Sequence, residues 1–329
     1  MTGRPRPGVR ACVAGRAPGL MTGKRMADKR NDASLGELLA PYAGRVEAGL
    51  ERWLVEPGTP ETLAEAMRYC VLGAGKRLRP TLVHMAAEAV GTGALGSEEL
   101  LARAAVAVEL VHCYSLVHDD LPAMDDDALR RGRPTVHVRF GEAMAVLVGD
   151  ALLTRAFGVL AESPNAADAS VAGPLVGILA RAAGAAGMIA GQVADMGLCD
   201  LPDGPEGVQY IHLHKTAAVI RAAVEIGALC GGAEEGQFQA VRQWAERLGL
   251  VFQWVDDLLD ATGSAEQLGK TPGKDAGTGK RSAVAELGVE AVRRQVEQMS
   301  RQAVEALGPL GPRAGTLREL TGLLARRTH

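Results

Sequence analysis

Two clusters of aspartate are the most informative feature of this chain. The first lies in His118-Asp119-Asp120-Leu121-Pro122-Ala123-Met124-Asp125-Asp126-Asp127, and the second in Gln253-Trp254-Val255-Asp256-Asp257-Leu258-Leu259-Asp260. Both stand in stretches whose apolar residues recur at helical spacing. Carboxylates packed this densely repel one another, and burial disfavours their charged form. Mg²⁺ relieves both costs, since it binds one or two carboxylates together with substrate phosphates. The two clusters therefore predict a site in which Mg²⁺ ions hold a diphosphate.

The spacing within the first cluster predicts where its side chains point. On an α-helix His112, Ser115 and Asp119 share one face, because offsets of four and seven residues return close to the starting direction. Asp125 would miss that face by about 120° in a regular helix. Pro122 interrupts the helix, so the chain can turn there and bring Asp125 back.

The second cluster is simpler. Asp256 and Asp260 are four residues apart and share a helix face, whereas Asp257 lies to the side. Either cluster alone could equally be a solvated helix end. The two together, with the basic residues described next, favour a metal–diphosphate site.

Basic residues near glycine-rich segments complement the carboxylates. They are Lys76 and Arg79 after Gly73-Ala74-Gly75, Arg130 and Arg131 after the first cluster, Lys215 beside Thr216, and Lys270, Lys274 and Lys280 after the second cluster. A lone lysine in a loop is more often simply solvated, but a glycine-rich loop beside a diphosphate site can serve as a lid. No strand precedes these glycines, so they do not form a P-loop.

Composition limits the class of protein. The chain has 329 residues, of which 47% are hydrophobic and 23% charged, with only 3% aromatic and 41 glycines. Small side chains let helices pack closely, which favours an all-α bundle. The net charge of −3 gives no basic excess, so nucleic acid is not expected as a partner. Five scattered cysteines indicate reduced thiols and a cytoplasmic location. No membrane span is expected, because the longest apolar run, from Val171 to Ala194, contains Pro174 and Arg181.

Helical periodicity defines the organisation of the chain. The predicted helices are 35–55, 61–72, 79–91, 98–118, 141–161, 171–197, 207–231, 235–261, 284–307 and 315–326. Residues 34–329 are therefore expected to form a single all-α domain. Residues 1–33 are expected to be a disordered basic extension; a transit peptide or a start codon placed too early, since Met21 and Met26 follow, are the alternatives.

From about residue 35 to 327 the chain resembles the trans-type isoprenyl diphosphate synthases, most closely the bacterial farnesyl diphosphate synthase type. The matching motifs are Gly-x-Gly-Lys-Arg-Leu-Arg-Pro at 73–80, Tyr-Ser-Leu-Val-His-Asp-Asp-Leu-Pro-Ala-Met-Asp-Asp-Asp at 114–127, Arg-Arg-Gly-Arg-Pro-Thr at 130–135, Gly-Gln-x-x-Asp at 191–195, His-Lys-Thr at 214–216, Phe-Gln-x-x-Asp-Asp-x-Leu-Asp at 252–260, and Gly-Lys-Thr-x-Gly-Lys-Asp at 269–275. The resemblance implies an isoprenoid-synthase-type helical bundle around a central cavity, usually a homodimer.

The resemblance also implies roles for the residues and about three Mg²⁺ ions per site. Asp119, Asp120, Asp125, Asp256 and Asp260 would bind the metal. Arg130, Lys215 and Lys270 would contact the allylic diphosphate, and Lys76, Arg79, His112 and Arg131 the isopentenyl diphosphate, with Lys280 also binding substrate. Thr216 and Gln253 would stabilise a carbocation, with Lys215 and Arg130 also catalytic, and Gln192 and Asp195 would support the site. Tyr114 and Ser115 would limit product length.

The reaction implied by the resemblance is the condensation of isopentenyl diphosphate with dimethylallyl or geranyl diphosphate to give C15 farnesyl diphosphate. The alternative is a C20 geranylgeranyl product. A terpene cyclase needs no isopentenyl diphosphate pocket, so Lys76, Arg79 and His112 argue against it. A non-catalytic partner subunit would be expected to lose aspartates that this chain keeps.

The chain departs from the family pattern in three places. Ala74 replaces a glycine in the first motif, and Trp254 stands where an aliphatic residue is usual and is expected to reshape the local wall. Arg281-Ser282-Ala283-Val284 replaces a stretch that usually carries small hydroxyl and aromatic residues.

Overall fold

Long helices joined by short turns build the protein. The computed structural model describes residues 22–73, 75–91, 96–162, 165–262 and 281–327, with side chains described from Leu35 onward. The helices are α1 (Thr22–Trp53), α2 (Glu61–Val71), α3 (Leu78–Val90), α4 (Glu98–Asp119), α5 (Val136–Phe140), α6 (Glu142–Ala161), α7 (Ala166–Ala183), α8 (Met188–Asp195), α9 (Pro205–Ile211), α10 (Ala218–Cys230), α11 (Glu235–Thr262), α12 (Ala283–Leu287), α13 (Val289–Ala306) and α14 (Gly315–Ala325). The predicted all-α class is confirmed.

Helix α4 lies at the centre of the bundle. It packs against α1, α3, α6, α7 and α10. Its first turn carries Glu98 and Glu99, which suit the positive end of the helix dipole. The side chain of Ser97 caps this end by accepting a hydrogen bond from the backbone N–H of Leu100 at 3.1 Å. Asp168 of α7 accepts from the backbone N–H and from the hydroxyl of Ser97, both at 2.7 Å, and so ties the two helices together.

The core is rich in alanine and branched aliphatic residues. One cluster of buried apolar side chains runs from Leu35 in α1 to Leu324 in α14, and includes the fully buried Trp244. A smaller cluster joins α9, α11, α12 and α13 around Val251 and Val292. Small residues let the helices approach closely, as at Gly227 of α10, where an added Cβ would lie 2.1 Å from the carbonyl oxygen of Val83.

The structure differs from the sequence prediction in several places. The predicted helix 284–307 is divided into α12 and α13 at Gly288. Two short antiparallel strands, β1 (Leu129–Arg130) and β2 (Arg133–Pro134), form a hairpin where no strand was expected. The predicted helix 171–197 is divided into α7 and α8 around Gly184 and Gly187. The predicted helix 207–231 contains a π-helical turn, His212–Ala217, between α9 and α10. Helix α1 begins at Thr22, ahead of the predicted domain start at Ser34, while residues 1–21 lie outside the described residues.

Three helical stretches are long and apolar enough to cross a membrane when judged by length and composition alone. They are Glu98–Asp119, Glu142–Ala161 and Ala166–Asp195. The expectation that none of them spans a membrane stays a prediction. In the folded protein 67% of the apolar window of α4 is buried, compared with 44% for Glu142–Ala161 and 39% for Ala166–Asp195.

Candidate active site

The first aspartate cluster lies at the end of α4. The helix ends at Asp119, and the chain turns back through Pro122, so that the backbone N–H of Asp125 donates to the carbonyl oxygen of Asp119 at 2.9 Å. This is the turn that was predicted from the position of Pro122. Burial raises the pKa of Asp119 to about 6; Lys215 lowers it, whereas the carboxylate of Asp125 raises it further. A cation bound here would relieve the repulsion and stabilise the charged forms.

Asp120 has a different neighbourhood from Asp119. Its side chain is buried, and both carboxylate oxygens accept hydrogen bonds from Nε of Arg130, at 2.8 and 2.9 Å, with a further contact from Nη2 at 2.5 Å. This bidentate ion pair fixes the guanidinium geometrically. In this structure Asp120 holds Arg130. The predicted metal binding by Asp120 and the predicted contact of Arg130 with an allylic diphosphate stay predictions.

The hairpin carries Arg131 at its tip. Strand residues Arg130 and Arg133 pair across it, and the two turn residues Arg131 and Gly132 have φ of +52° and +75°. A two-residue turn with positive φ at both positions suits right-handed strand twist and favours glycine at the second position. The turn holds Arg131 close to the loop at Gly75, where an added Cβ would lie 2.6 Å from an Arg131 guanidinium nitrogen.

Arg77 is a structural residue that the sequence analysis missed. It is buried with φ +49°, donates to Glu47 and to Glu109, each at 2.7 Å, and also contacts the carbonyl oxygen of Val71 at 2.7 Å. It therefore fastens the loop before α3 to α1 and α4. The sequence offered no signal that separates it from its neighbours Lys76 and Arg79.

Arg79 and His112 lie in a positively charged region, in which the charge of Arg79 influences the pKa of His112. Burial lowers the pKa of Arg79, although Glu109 and Asp256 oppose this. Burial also lowers the pKa of His112 well below its ordinary value, and the charges of Arg79, Arg131, Arg130 and Arg77 lower it further. His112 is therefore neutral at pH 7. A convergence of guanidinium groups on one histidine suits an anion such as a diphosphate.

The π-helical turn brings Lys215 and Thr216 to the centre of the site. Nζ of Lys215 donates to Oδ2 of Asp195 at 2.6 Å, so the predicted supporting residue Asp195 contacts it directly. The turn packs against Gly191 of α8 so closely that an added Cβ would lie 2.1 Å from the backbone nitrogen of Lys215. Oγ1 of Thr216 donates to Oε1 of Gln253 at 2.8 Å. This bond joins the turn to α11, the helix that carries the second cluster.

The three aspartates of the second cluster have separate environments. Asp256 pairs with Arg327, whose guanidinium also lies 4.4 Å from the ring centre of Phe252. Asp260 is exposed at the end of α11. Asp257 is buried and accepts a hydrogen bond from the backbone N–H of Ala283 at 2.6 Å. Burial raises the pKa of Asp257 to about 7. Neither Arg327 nor Asp257 was assigned a role from the sequence, because their partners are distant in the chain.

The donor set fits Mg²⁺ bound together with a substrate. Among the described residues no group of three His, Cys, Asp or Glu side chains is arranged to hold a metal by itself. Mg²⁺ usually takes one or two carboxylates and completes its shell with water and phosphate oxygens. Asp119 with Asp125 at the end of α4 and its following turn, and Asp256 with Asp260 on α11, offer carboxylates of this kind.

The remaining predicted residues fall in three groups. Lys76 is exposed at the start of the loop before α3, and Gln192 is partly buried on α8. Tyr114 is buried in the core one turn below Asp119, with its ring 5.9 Å from that of His118 in an edge-to-face contact, and Ser115 donates to the carbonyl oxygen of His112. Lys270 and Lys280 lie outside the described residues, so their predicted substrate contacts stay predictions.

A cavity of about 440 Å³ lies between α9, α11 and α13, and none of its lining residues is a predicted site residue. Trp254 lines this cavity and is buried, with its indole nitrogen unpartnered among the described residues. Trp254 packs against the smaller apolar cluster, so the wall that it shapes is the wall of this cavity.

Comparison with known proteins identifies the family. The family described as polyprenyl synthetase matches residues 60–308. The chain belongs to the polyprenyl synthetase family. This is a family of prenyltransferases that use isopentenyl diphosphate and an allylic diphosphate, generally with Mg²⁺.

Relatives and solved structures extend the match to most of the chain. A chloroplastic geranylgeranyl pyrophosphate synthase of Catharanthus roseus is 43% identical over 82% of this chain and 75% of its own length. A putative geranylgeranyl pyrophosphate synthase 8 of Arabidopsis thaliana is 46% identical over 80% of this chain and 73% of its own. An FPP/GFPP synthase from Zymomonas mobilis superimposes with a TM-score of 0.77 at 34% identity, covering 89% of this chain and 99% of that one.

Proposed function

We propose that this protein is a Mg²⁺-dependent short-chain prenyltransferase that condenses isopentenyl diphosphate with dimethylallyl or geranyl diphosphate to give C15 farnesyl diphosphate. The observation that carries the reaction is the joining of the two aspartate clusters through the π-helical turn. Lys215 lies close enough to Asp119 to lower its pKa, and Thr216 of the same turn is bonded to Gln253 of α11. Carboxylates and cations therefore converge on one cleft from α4, the turn and α11.

The residues of the cleft divide the work of the proposed reaction. When bound, Mg²⁺ stabilises the negative charge of the departing diphosphate. Asp119, Asp125 and Asp256 would hold the metal, while Lys215 and Arg130 would hold the allylic diphosphate. Arg79, His112 and Arg131 would hold isopentenyl diphosphate in the positive region beside α4. The oxygens of Thr216 and Gln253 would face the allylic carbon as its positive charge develops.

Product length is proposed from Tyr114. In the resembling enzymes the growing chain runs from the first aspartate cluster along α4 toward the start of that helix. Tyr114 lies five residues before Asp119, about 7.5 Å along the axis at 1.5 Å per residue. Its ring is buried and held by the contact with His118. A rigid ring at this depth would form the floor of the pocket for the growing prenyl chain, and this supports a C15 product.

The C20 product is the second candidate, and the names of the relatives favour it. Those from Catharanthus roseus and Arabidopsis thaliana are called geranylgeranyl pyrophosphate synthases. A relative from Leucosceptrum canum, 43% identical, is called a geranylfarnesyl diphosphate synthase. Similar sequences thus carry different product names, so the local floor at Tyr114 is the better guide.

The deciding experiment is a product assay. Purified protein is incubated with Mg²⁺, isopentenyl diphosphate and either dimethylallyl or geranyl diphosphate, and the dephosphorylated products are separated by chromatography. We expect farnesol from both allylic substrates. Geranylgeraniol as the main product would select the C20 candidate. Absence of any condensation, or a cyclised hydrocarbon made without isopentenyl diphosphate, would reject the proposal in favour of a partner subunit or a cyclase.

A cytoplasmic homodimer is the proposed working form. Exposed apolar side chains on α5 and α6, namely Val138, Val146 and Leu147, support a subunit contact on this side of the bundle. Light scattering coupled to size-exclusion chromatography gives the mass directly. The aspartate substitutions Val146→Asp and Leu147→Asp should convert a dimer to a monomer.

A further inference from the structure

Asp257 differs from the other two aspartates of the second cluster in where its carboxylate lies. The side chain of Asp257 is 9% exposed, whereas that of Asp256 is 34% exposed. Neighbouring residues on a helix point about 100° apart, so Asp257 leaves the face that Asp256 and Asp260 share. Its carboxylate therefore points into the packing between α11, α12 and the π-helical turn.

The partners of Asp257 fix both its own position and that of Gln253. Oδ2 accepts from the backbone N–H of Ala283 at 2.6 Å and lies 3.6 Å from Nε2 of His212. Gln253 lies one helical turn before Asp257 on α11, a spacing at which glutamine and aspartate side chains can hydrogen-bond. Burial raises the pKa of this carboxylate, and the side chain of Gln253 lowers it. The charged carboxylate can only accept, so it favours the orientation of Gln253 that turns the amide N–H₂ toward Asp257. The other end of the same amide, Oε1, accepts from the hydroxyl of Thr216 at 2.8 Å.

We infer that Asp257 is a positioning residue, whose carboxylate fixes the orientation of the Gln253 amide so that Oε1 stays on the Thr216 side. The inference rests on the proposed function, in which the oxygens of Gln253 and Thr216 stabilise the positive charge of the allylic carbon. An amide has nearly the same shape after its oxygen and nitrogen exchange places. Without an acceptor at Asp257, Gln253 could turn its N–H₂ group toward the developing cation and oppose it.

The stretch after the glycine-rich segment secures this arrangement. Nη2 of Arg281 donates to the carbonyl oxygens of Pro202 and Gly204, at 2.9 and 3.0 Å. The hydroxyl of Ser282 caps α12 by accepting from the backbone N–H of Ala285 at 3.2 Å. These bonds place the N–H of Ala283 against Asp257. Arg281 and Ser282 belong to the stretch that departs from the family pattern, so this chain builds the support with residues of its own.

The first test compares Asp257→Asn with Asp256→Asn. The new asparagine can still accept from Ala283, but it presents an N–H₂ group to Gln253 and favours the flipped amide. We expect kcat to fall about 100-fold, the lower end of the range for loss of one oriented dipole. Both KM values and the Mg²⁺ concentration for half-maximal rate should stay within about twofold of wild type, because no metal or diphosphate contact changes. Asp256→Asn should instead raise the Mg²⁺ requirement.

The second test asks whether Asp257 acts through Gln253. Gln253→Met removes the amide, so adding Asp257→Asn to it should cost no more than about a further twofold in kcat. Losses that multiply in the double variant would overturn the inference. Gln253→Glu keeps the size of the side chain, removes the donated N–H and leaves Asp257 unchanged. It should lower kcat at least as far as Gln253→Met, and wild-type activity in Gln253→Glu would also overturn the inference.

Binding measurements separate this inference from the proposed function. Isothermal titration with Mg²⁺ and inorganic diphosphate should give the same affinity for Asp257→Asn as for wild type, with circular dichroism establishing that the variant is folded. Affinity lost to the extent seen in Asp256→Asn would assign Asp257 to the metal site and overturn the inference. A wild type that binds diphosphate but forms no product from either allylic substrate would reject the proposed function, while the titration still decides where Asp257 belongs.

Discussion

Adjacent aspartates in this protein have different tasks because their directions and burial differ. A turn brings Asp119 and Asp125 together, and Asp120 holds Arg130. Asp257 lies on the buried side of α11. The pattern of letters suggests equivalent carboxylates, whereas the packing around each one determines whether it can reach a substrate.

Catalysis should require one carboxylate from each cluster. Asp119→Ala or Asp256→Ala removes a predicted metal ligand, and loss of such a contact costs about 3 kcal/mol, or roughly 10²-fold in rate. Initial rates are measured at saturating Mg²⁺. Asp150→Ala, at an exposed position on α6, is the control and should keep wild-type turnover. Near-full activity in either cluster variant would contradict the site.

The size of Tyr114 should set the product. Tyr114→Ala opens the space below Asp119 and should shift the main product from C15 to C20. Tyr114→Phe keeps the ring and removes only the hydroxyl, so its product should remain C15. Chain lengths are read from the dephosphorylated products. An active Tyr114→Ala variant that still makes only C15 would move the floor to another residue.

At the scale of elements, the sequence predicted most helices but not the breaks that shape the site. The apolar residues of 207–231 recur at helical spacing, and this segment is helical. The π-helical turn differs from an α-helix by about one added residue per turn. That difference is too small to be recognised from the spacing of apolar residues. The hairpin has two residues in each strand, too few to show alternation. The burial of Arg77 depends on Glu47 and Glu109, which come from two other helices. Residue types in motifs were therefore predictable, while partners across the chain were not.

Different elements should bind the two substrates. Arg79 at the start of α3 is expected to bind isopentenyl diphosphate. Arg79→Ala should therefore raise the KM for that substrate about tenfold or more, because a charged contact is lost. Lys215 lies on the π-helical turn, and Lys215→Ala should raise the KM for the allylic diphosphate instead. Steady-state kinetics with each substrate varied in turn tests the division. Equal changes in both KM values would leave the division without support.

The loop before α3 should depend on Arg77 for stability. The side chain of Arg77 is 2% exposed and its partner in Glu109 is 3% exposed. Arg77→Met would leave Glu109 buried without a counter-charge, which costs about 3–5 kcal/mol. Lys76→Met, one residue earlier but exposed, should change the free energy of unfolding by less than about 0.5 kcal/mol. Urea unfolding of the two variants compares them directly, and similar midpoints would contradict a structural role for Arg77.

At the scale of the whole molecule, α4 links the parts of the proposed reaction. It carries His112 and the proposed floor residue Tyr114, ends at the proposed metal ligand Asp119, and packs against several other helices. In this proposal one helix sets both the position of the substrates and the length of the product. The supporting elements also bury ionisable groups, and these make the stability of the molecule depend on pH.

Acid should destabilise the molecule through His84. This residue lies on α3, stacked 6.1 Å from Tyr42 of α1, and both ring nitrogens lack a partner among the described residues. Burial lowers the pKa of His84 below its ordinary value; Arg45 lowers it further, and Glu88 partly opposes this. The unfolded chain therefore binds a proton first as the pH falls below about 6.5. The stability conferred by the neutral ring is present above that pH and is lost as the pH falls through the folded-state pKa.

His84→Leu removes this proton-binding site and the two unpartnered nitrogens while keeping an apolar side chain of similar size. The variant should equal or exceed wild type in stability at pH 7.5, and should lose less free energy of unfolding between pH 7.5 and 5. A slope remains in the variant, because buried His212, whose pKa is lowered to about 4 by burial, also resists charging. Chemical denaturation at pH 7.5, 6.5, 5.5 and 5 measures both proteins. Parallel curves would show that His84 is not the group whose protonation opposes the packing of α3 on α1.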